Sequence, residues 1–226
     1  MSQLLPSVSV LFEDNHVIAV FKPAGVPVAP DDSGDPSLLD MVKMYLKQTY
    51  KKPGNVFLGL VHRLDRPVSG IVVFAKTSKG ASRLSEQFRA RTVSKIYHAL
   101  VIGRPSNDRG VLRNFLKKNQ HHSVRRAVVD DRDGDLAELS YAVVSTNGKF
   151  SVVAIQLHTG KFHQIRVQLS AIGCPIVGDV KYGAYEPLPD ASICLIANEL
   201  TFLAATTQEK IVVRVPVPPE WIAQTR

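Results

Sequence analysis

The sequence predicts an α+β fold with a mixed, mostly antiparallel sheet, flanked by a few helices and loops. Three observations support this prediction. Short runs of β-branched and aromatic residues recur along the chain with turn residues between them. Other segments carry apolar residues at helical spacing. The sequence contains no internal repeat, low-complexity tract or linker, so residues 1–226 are expected to form a single domain.

The N-terminal part of the chain predicts a β-hairpin followed by a helix. Residues 8–12 and 17–21 are β-type runs joined by a short polar connection, which is a hairpin signal. Residues 22–27 contain two prolines and a glycine and interrupt regular structure. Apolar residues at helical spacing follow, and Asp35 before Pro36 predicts the N-cap and the first residue of that helix.

The middle of the chain predicts strands on both sides of a turn, then a second helix. Residues 57–61 lead into the turn and residues 70–75 lead out of it. Ser78 is predicted to cap the second helix. Residues 94–102 predict another strand, whereas residues 104–135 are polar and predict an irregular segment.

The C-terminal part predicts a hairpin, a third helix and two further strands. Asn147 and Gly148 lie between two β-type runs and predict a type I′ turn. Gly173 is expected to end the third helix as its C′ residue. The apolar face of that helix consists of Phe162, Ile165, Leu169 and Ile172. The last two strands are predicted within residues 193–197 and 211–215.

The charge balance points to an anionic partner. The chain has 28 lysines and arginines against 20 acidic residues, a net charge of +8 and a pI near 9.6. Nucleic acid is the first candidate and an anionic membrane surface the second, although a protein can be basic without either. No apolar run approaches the roughly 20 residues that cross a bilayer. Residues 1–6 lack the features of a signal peptide, so we expect a cytoplasmic protein. Cys174 and Cys194 have no metal-type spacing and are expected to be reduced thiols. A monomer is the default expectation.

The most informative stretch is residues 62–70, with the sequence His-Arg-Leu-Asp-Arg-Pro-Val-Ser-Gly. It places Asp65 between Arg63 and Arg66 in a turn that precedes a buried-type strand. Neighbouring cations lower the pKa of a carboxyl group, so Asp65 is expected to be ionised. An ionised and positioned carboxylate can act as a nucleophile or as a base. The arginines beside it are suited to holding phosphates.

Four blocks in a fixed order resemble a known family. They read Phe-Lys-Pro-Ala-Gly at 21–25, His-Arg-Leu-Asp at 62–65, Lys-Ile-Tyr-His-Ala-Leu-Val at 95–101, and His-Thr-Gly-Lys-Phe-His-Gln-Ile-Arg-Val at 158–167. Over roughly residues 8–205 the chain resembles the RluA-type RNA pseudouridine synthases, a large bacterial family that includes ribosomal and transfer RNA uridine isomerases. One departure is Val68, where the family has threonine. Another is the short N-terminal segment, so no separate N-terminal RNA-binding domain of the kind that many relatives carry is expected.

The resemblance implies three catalytic residues and no cofactor. Asp65 would act on the ribose, either by attack on C1′ or by taking a proton from C2′ to give a glycal-like intermediate. Tyr97 would stack on the target base, and Arg166 would support Asp65. Considered alone, Tyr97 is better explained as a core residue of a strand. Asp179, a rival carboxylate, is expected to fix a loop instead.

The resemblance also implies RNA contacts. Arg63 would fill the gap that the flipped uridine leaves. The other expected substrate-binding residues are Arg66, Lys95, Lys161 and Gln164. The basic block at 117–126 is a candidate RNA-facing insertion. His158 with His163, or His121 with His122, could suggest a metal site, but their spacing matches no metal motif and we expect none.

The sequence therefore predicts an enzyme that converts specific uridines in structured RNA, transfer or ribosomal, to pseudouridine. Two alternatives stay open. The first is an inactive RNA-binding protein of the same fold, against which the presence of Asp65, Tyr97 and Arg166 argues. The second is a glycoside or nucleoside hydrolase. Most glycosidases need a second carboxylate as the acid, and the sequence shows none as convincing as Asp65. The sequence does not identify the target uridine.

Overall fold

The computed structural model describes residues 8–121, 124–129 and 134–226, and within them it contains eleven strands and four helices. The strands are β1 (Ser9–Glu13), β2 (Val17–Lys22), β3 (Gly59–Leu60), β4 (Ser69–Ala75), β5 (Ser94–Ile102), β6 (Arg109–His121), β7 (Val124–Val129), β8 (Asp135–Thr146), β9 (Phe150–Leu157), β10 (Leu195–Leu203) and β11 (Lys210–Arg214). The helices are α1 (Leu38–Thr49), α2 (Ser78–Ala90), α3 (Gln164–Ala171) and α4 (Pro219–Ala223), with a 3-10 turn at Val180–Tyr182. The predicted α+β class is confirmed.

The chain divides into two compact units. The first comprises the chain up to Val93 together with Leu200–Val215. The second comprises Ser94–Glu199 and Pro216–Arg226. Strand β10 passes from the second unit into the first. That residues 1–226 act as a single catalytic domain stays a prediction, and the signal-peptide analysis of residues 1–6 lies outside the described residues.

The first unit contains the predicted N-terminal hairpin. Strands β1 and β2 pair antiparallel, and β2 pairs antiparallel with β4 in a register from Val17 opposite Ala75 to Lys22 opposite Gly70. Strand β3, shorter than predicted, pairs with β4. These strands are rich in β-branched residues, which form a buried cluster with Leu84 of α2.

Both helix starts in the first unit differ from the prediction. Helix α1 is capped by Ser37, whose hydroxyl accepts a hydrogen bond from the Asp40 amide at 3.2 Å. Asp35 is therefore not the cap, and its carboxylate instead pairs with Arg66. Helix α2 is capped by Thr77, one residue before the predicted cap, because the Thr77 hydroxyl accepts from an amide of the first turn.

The second unit is an antiparallel sheet in the order β5–β9–β8–β6–β7. The prediction that residues 104–135 are irregular is wrong, because β6 and β7 form in this segment. The hairpin between β8 and β9 is confirmed, but its type I′ turn is wrong. Such a turn needs positive φ at both central residues, and here only Gly148 has one, at 86°.

Helix α3 ends as predicted. Gly173 has a φ of 75°, which favours glycine, and its amide donates to the Ser170 carbonyl at 2.9 Å. The next amide, of Cys174, donates to the Leu169 carbonyl at 3.0 Å. Cys174 and Cys194 are buried and form no disulfide, and burial raises the pKa of Cys194 to about 12. No helix in the described residues is long and apolar enough to span a membrane.

Candidate active site

Asp65 lies at the start of a tight turn in the first unit. The Val68 amide donates to the Asp65 carbonyl at 3.0 Å and closes the turn. The Val68 side chain is 3% exposed, so the position where the family has threonine serves the core here. Asp65 itself is half-buried, while Arg63 and Arg66 on either side are exposed. The turn thus presents the carboxylate in a charged and partly enclosed setting.

A fully buried lysine donates hydrogen bonds to this turn and to the loop that follows β2. Lys22, at the end of β2, has no exposed surface. Its ammonium donates to the carbonyls of Pro23 at 3.0 Å, Val26 at 2.8 Å and Arg66 at 3.0 Å. Three acceptors match the three N–H groups of an ammonium. Burial lowers the pKa of Lys22 to about 7, and the negative charge of Asp65 opposes this shift.

Arg66, which is exposed, also connects the Asp65 turn to the loop that follows β2. The Arg66 carbonyl accepts from the Gly25 amide at 2.8 Å, and the Arg66 Nε donates to the Gly25 carbonyl at 2.8 Å. Gly25 has a φ of 84°, a conformation that favours glycine. Arg66 also pairs with Asp35 and lies 3.8 Å from Asp31. These contacts give Arg66 a structural role; its predicted contact with RNA phosphate stays a prediction.

His62 connects the turn to strand β4. Its Nε2 accepts a hydrogen bond from the Val73 amide at 3.0 Å, so this nitrogen carries no proton in that bond. The His62 ring stacks on Phe88 of α2 with the ring centroids 4.7 Å apart. The residues before Asp65 are thereby anchored to both a strand and a helix.

In the second unit, Tyr97 lies on β5 with 8% of its surface exposed. Its register partner is Ile155 on β9, which in turn pairs with Tyr141 on β8. Residues directly opposite one another in antiparallel strands share a face of the sheet, and all three side chains are buried. Tyr97 therefore lies in a strand that pairs with β9, and its stacking on a base stays a prediction.

Arg166 forms a buried ion pair with Asp179. Its Nε donates to one carboxylate oxygen at 2.7 Å and its Nη2 to the other at 2.8 Å. The side chains are 6% and 1% exposed. The guanidinium carbon lies 5.0 Å from the centroid of the Tyr182 ring. The Asp179 carbonyl also accepts from the amides of Tyr182 and Ala184, which agrees with the expectation that Asp179 fixes a loop.

Tyr182 extends this cluster to strand β7. Its hydroxyl accepts from the Ala127 amide at 2.7 Å and lies 2.8 Å from Nδ1 of His163. His163 has a φ of 52° and precedes α3. Its ring stacks on Phe162, with the centroids 3.7 Å apart. The first turn of α3, and with it Arg166, is therefore connected to the β6–β7 hairpin.

The remaining predicted binding residues of the second unit lie close to the start of α3. Gln164 is 3% exposed; its Oε1 accepts from the Thr159 hydroxyl at 2.7 Å and its Nε2 donates to the Glu138 carbonyl at 3.1 Å. Lys161 lies 3.2 Å from Asp135, and Lys95 Nζ lies beside Gly160. The Gln164 contacts favour a role in shaping the loop. Direct RNA contact by Lys95, Lys161 and Gln164 stays a prediction.

The predicted residues fall into two groups. Asp65, Arg63 and Arg66 belong to one turn of the first unit; Tyr97, Lys95, Lys161, Gln164 and Arg166 belong to the second unit. Support of Asp65 by Arg166 stays a prediction. The described residues contain no group of three or more His, Cys, Asp and Glu side chains that could hold a metal ion, and His122 lies outside those residues.

Sequence reasoning assigned no role to Lys22 or His62. Lys22 lies within the matched block at 21–25, and its position at the end of an apolar strand is the signal that could have marked it as buried. His62 offers no such signal, because its partners Val73 and Phe88 are distant in the sequence.

Comparison with known proteins shows which family the sequence resembles. The sequence profile of the RNA pseudouridylate synthase family matches residues 16–171, which include Asp65, Tyr97 and Arg166. An uncharacterized RNA pseudouridine synthase of Bacillus subtilis is 33% identical over 93% of this chain and 69% of its own length. Ribosomal large subunit pseudouridine synthase D of Nitrosomonas europaea is 36% identical over 83% of this chain and 53% of its own length. The chain thus spans about half to two thirds of the length of such relatives.

Solved structures share this fold. Human RNA pseudouridylate synthase domain containing 4 superposes with a TM-score of 0.77 at 25% identity, covering 95% of this chain and 90% of the human chain. Human RNA pseudouridylate synthase domain containing 1 shares the fold with a TM-score of 0.77 at 24% identity, covering 96% of this chain and 86% of that chain. The profile match covers more than half of the residues, and the first relative exceeds 30% identity over two thirds of its length. The chain therefore belongs to the RNA pseudouridylate synthase family.

Proposed function

We propose that the chain isomerises uridine to pseudouridine in RNA, with Asp65 as the catalytic carboxylate. The observation that carries the proposal is the Asp65 turn, in which a half-buried carboxylate is positioned by a buried lysine and is flanked by two exposed arginines. The family to which the chain belongs supports the same chemistry. A net charge of +8 suits an RNA substrate.

The reaction exchanges one bond for another. The bond between N1 of uracil and C1′ of ribose breaks, the base turns, and C5 joins C1′. C5 loses its hydrogen as a proton and N1 gains one, so no oxidation state changes overall and no cofactor is needed. Asp65 acts on the ribose, either on C1′ as a nucleophile or on the C2′ proton as a base.

The other predicted residues take supporting roles in this proposal. Tyr97 stacks on the uracil ring, since proteins that bind unstacked RNA bases commonly hold them against aromatic faces. Arg166 supports Asp65 and is itself held by Asp179. Arg63, exposed beside Asp65, fills the space that the flipped nucleotide leaves. The relative from Nitrosomonas europaea is named for the large ribosomal subunit, so we favour ribosomal RNA over transfer RNA as the target.

Tritium release tests the proposal. Ribosomal and transfer RNA transcripts carrying tritium at C5 of uridine are incubated with the wild type, with Asp65→Ala, and with Asp32→Ala as a control at an exposed carboxylate. We expect release into water by the wild type and the control, and a decrease of about a thousandfold or more for Asp65→Ala. RNA binding without release by the wild type on either RNA would instead favour an inactive binder. Free uracil would indicate a hydrolase.

A further inference from the structure

Strand β6 carries an alternating basic and apolar face that the proposed reaction does not use. Its outward face consists of the side chains of Arg109, Val111, Arg113, Phe115, Lys117 and Asn119, all of which are exposed. Val111 and Phe115 are 63% and 43% exposed, which is high for large apolar side chains. Cations thus alternate with an exposed aliphatic and an exposed aromatic side chain along one strand.

The opposite face of the same strand is covered by helix α3. Gln168 of α3 donates through Nε2 to the Leu112 carbonyl at 3.1 Å and to the Asn114 side chain at 2.8 Å. Because side chains alternate between the faces of a strand, the outward face of β6 points away from α3. Gly110 of β6 pairs with Tyr141, which shares its face with Tyr97. The outward face is therefore separate from Tyr97.

A depression of about 530 Å³ adjoins this face on the same side of the sheet. Arg109 and Val111 of β6 contribute to its wall, together with Ser140 and Ala142 of β8 and Gln156 of β9. These residues are register neighbours across three strands, and none of them is fully buried. The depression is shallow and mostly apolar, as suits the face of a flat ring.

The outward face carries a row of positive charges. Arg109, Arg113 and Lys117 follow one another at four-residue intervals, about 14 Å apart at the usual rise of a strand. Arg113 also lies 3.6 Å from Glu138, its register partner on β8. Such a row complements an extended polyanion, and Phe115 between two of the cations offers a face for base stacking.

We propose that the outward face of β6 and the adjoining depression bind a single-stranded segment of the RNA outside the target uridine. Arg109, Arg113 and Lys117 hold successive parts of the phosphate backbone, and Phe115 stacks on a base. The inference rests on the proposed function only in naming RNA as the partner. It gives the chain a binding surface for target selection in addition to the Asp65 turn.

Binding of a fluorescein-labelled oligoadenylate, followed by anisotropy over a range of salt concentrations, tests the surface. This probe contains no uridine, so its binding is independent of the isomerisation. The double variant Arg109→Ala/Lys117→Ala should bind at least about fivefold more weakly, and its salt slope should fall by roughly 0.7 for each phosphate that it no longer neutralises. Lys79→Ala/Lys210→Ala removes the same charge from exposed positions of the first unit and should change binding less than about twofold.

Phe115 separates stacking from general apolar contact. Phe115→Tyr keeps an aromatic ring and should bind oligoadenylate as the wild type does. Phe115→Leu and Phe115→Ala should both weaken binding by about fivefold or more, because neither retains a ring. If the leucine variant binds like the wild type, Phe115 does not stack on a base. If the double arginine–lysine variant matches its control, the surface does not bind RNA and a protein partner becomes its better occupant.

Failure of this inference differs from failure of the proposed function. Oligoadenylate binding reports only the surface, whereas tritium release from uridine-labelled transcripts reports only the chemistry. Asp65→Ala that still releases tritium would overturn the proposed catalytic role and leave the oligoadenylate result unaffected. Unchanged oligoadenylate binding by the β6 variants would overturn the proposal that this surface binds RNA and would leave the role of Asp65 unaffected.

Discussion

Asp65 and Asp179 are two carboxylates in similar sequence settings with different surroundings. Each lies close to a glycine or a proline in a turn. Asp179 is 1% exposed, and both of its oxygens accept from the single guanidinium of Arg166. Asp65 is half-buried, and its turn is held through backbone carbonyls by Lys22 and Arg66. The comparison contrasts a carboxylate held in a buried ion pair with the half-buried carboxylate that we propose acts on the ribose.

Removal of the negative charge should affect stability differently at Asp179 and at Asp65. Removal of the Asp179 charge breaks a bidentate ion pair with a buried arginine, which is costly. Removal of the Asp65 charge affects a half-buried group, while the Lys22 contacts with backbone carbonyls persist. Stability should therefore depend on Asp179, and activity should depend on Asp65. Substitutions at these and neighbouring residues test this separation, from the largest expected effect on stability to the smallest.

The largest effect is expected for Asp179→Asn. The amide removes one side of the buried bidentate ion pair with Arg166, so the free energy of unfolding should fall by about 3–5 kcal/mol. Asp108→Asn makes the same change in an exposed pair with Arg104, whose oxygen and nitrogen lie 2.9 Å apart, and should cost less than about 1 kcal/mol. Urea denaturation measures both. Equal losses for the two variants would show that burial does not distinguish these ion pairs.

A smaller decrease in stability is expected for Lys22→Met. The methionine fills a similar volume but removes the Lys22 donor from three carbonyls, of which that of Arg66 keeps the Gly25 amide, and this should cost about 1–3 kcal/mol. Because these carbonyls belong to the loops around Asp65, turnover should also fall although Lys22 itself does not act on the RNA. Denaturation and tritium release measure the two effects. A variant with wild-type turnover would contradict the role of Lys22 in positioning the turn.

The stability difference between the wild type and Lys22→Met should depend on pH. The pKa of Lys22 is lowered from 10.5 to about 7 in the folded chain. Between these values the unfolded chain binds a proton that the folded chain has released, so this group adds stability as the pH rises through that window. The cost of Lys22→Met should therefore be larger at about pH 9 than at about pH 7. An equal cost at both values would argue against the lowered pKa.

The smallest effect on stability is expected at His62. His62→Phe keeps a ring against Phe88 but leaves the Val73 amide without an acceptor, which should cost about 1–2 kcal/mol. His62→Gln provides an oxygen that can accept from the same amide and should cost less than half as much. Thermal unfolding compares the two variants. A glutamine variant less stable than the phenylalanine variant would show that stacking matters more than the hydrogen bond.

The sequence predicted those parts of the fold that local patterns determine. Strand β5 was expected at its observed bounds, because its β-branched run has clear ends. Strand β6 was missed because its alternation is mixed: outward positions include Val111 and Phe115, while the inward Asn114 is polar and bonded to Gln168. The cap of α1 was misplaced because Asp35 pairs with Arg66, a long-range contact that no local pattern reveals.

The candidate site was predicted from motifs rather than from contacts. The blocks at 62–65, 95–101 and 158–167 indicated Asp65, Tyr97 and Arg166, and the family profile covers all three. The residues that hold them were predicted less well. Lys22 is charged yet fully buried, and its partners are backbone carbonyls, which carry no sequence signal. Asp179 was expected to fix a loop, but its bidentate pair with Arg166 depends on packing between segments distant in the sequence.

The most direct test of the central claim measures tritium release and unfolding together on Asp65→Asn and Asp179→Asn. Asparagine keeps the size of each side chain and removes only its charge. We predict that Asp65→Asn reduces tritium release by about a thousandfold or more while its free energy of unfolding stays within about 1 kcal/mol of the wild type. Asp179→Asn should instead show the large decrease in stability. An Asp65→Asn variant that retains tritium release within about tenfold of the wild type would contradict the assignment of Asp65 as the catalytic carboxylate.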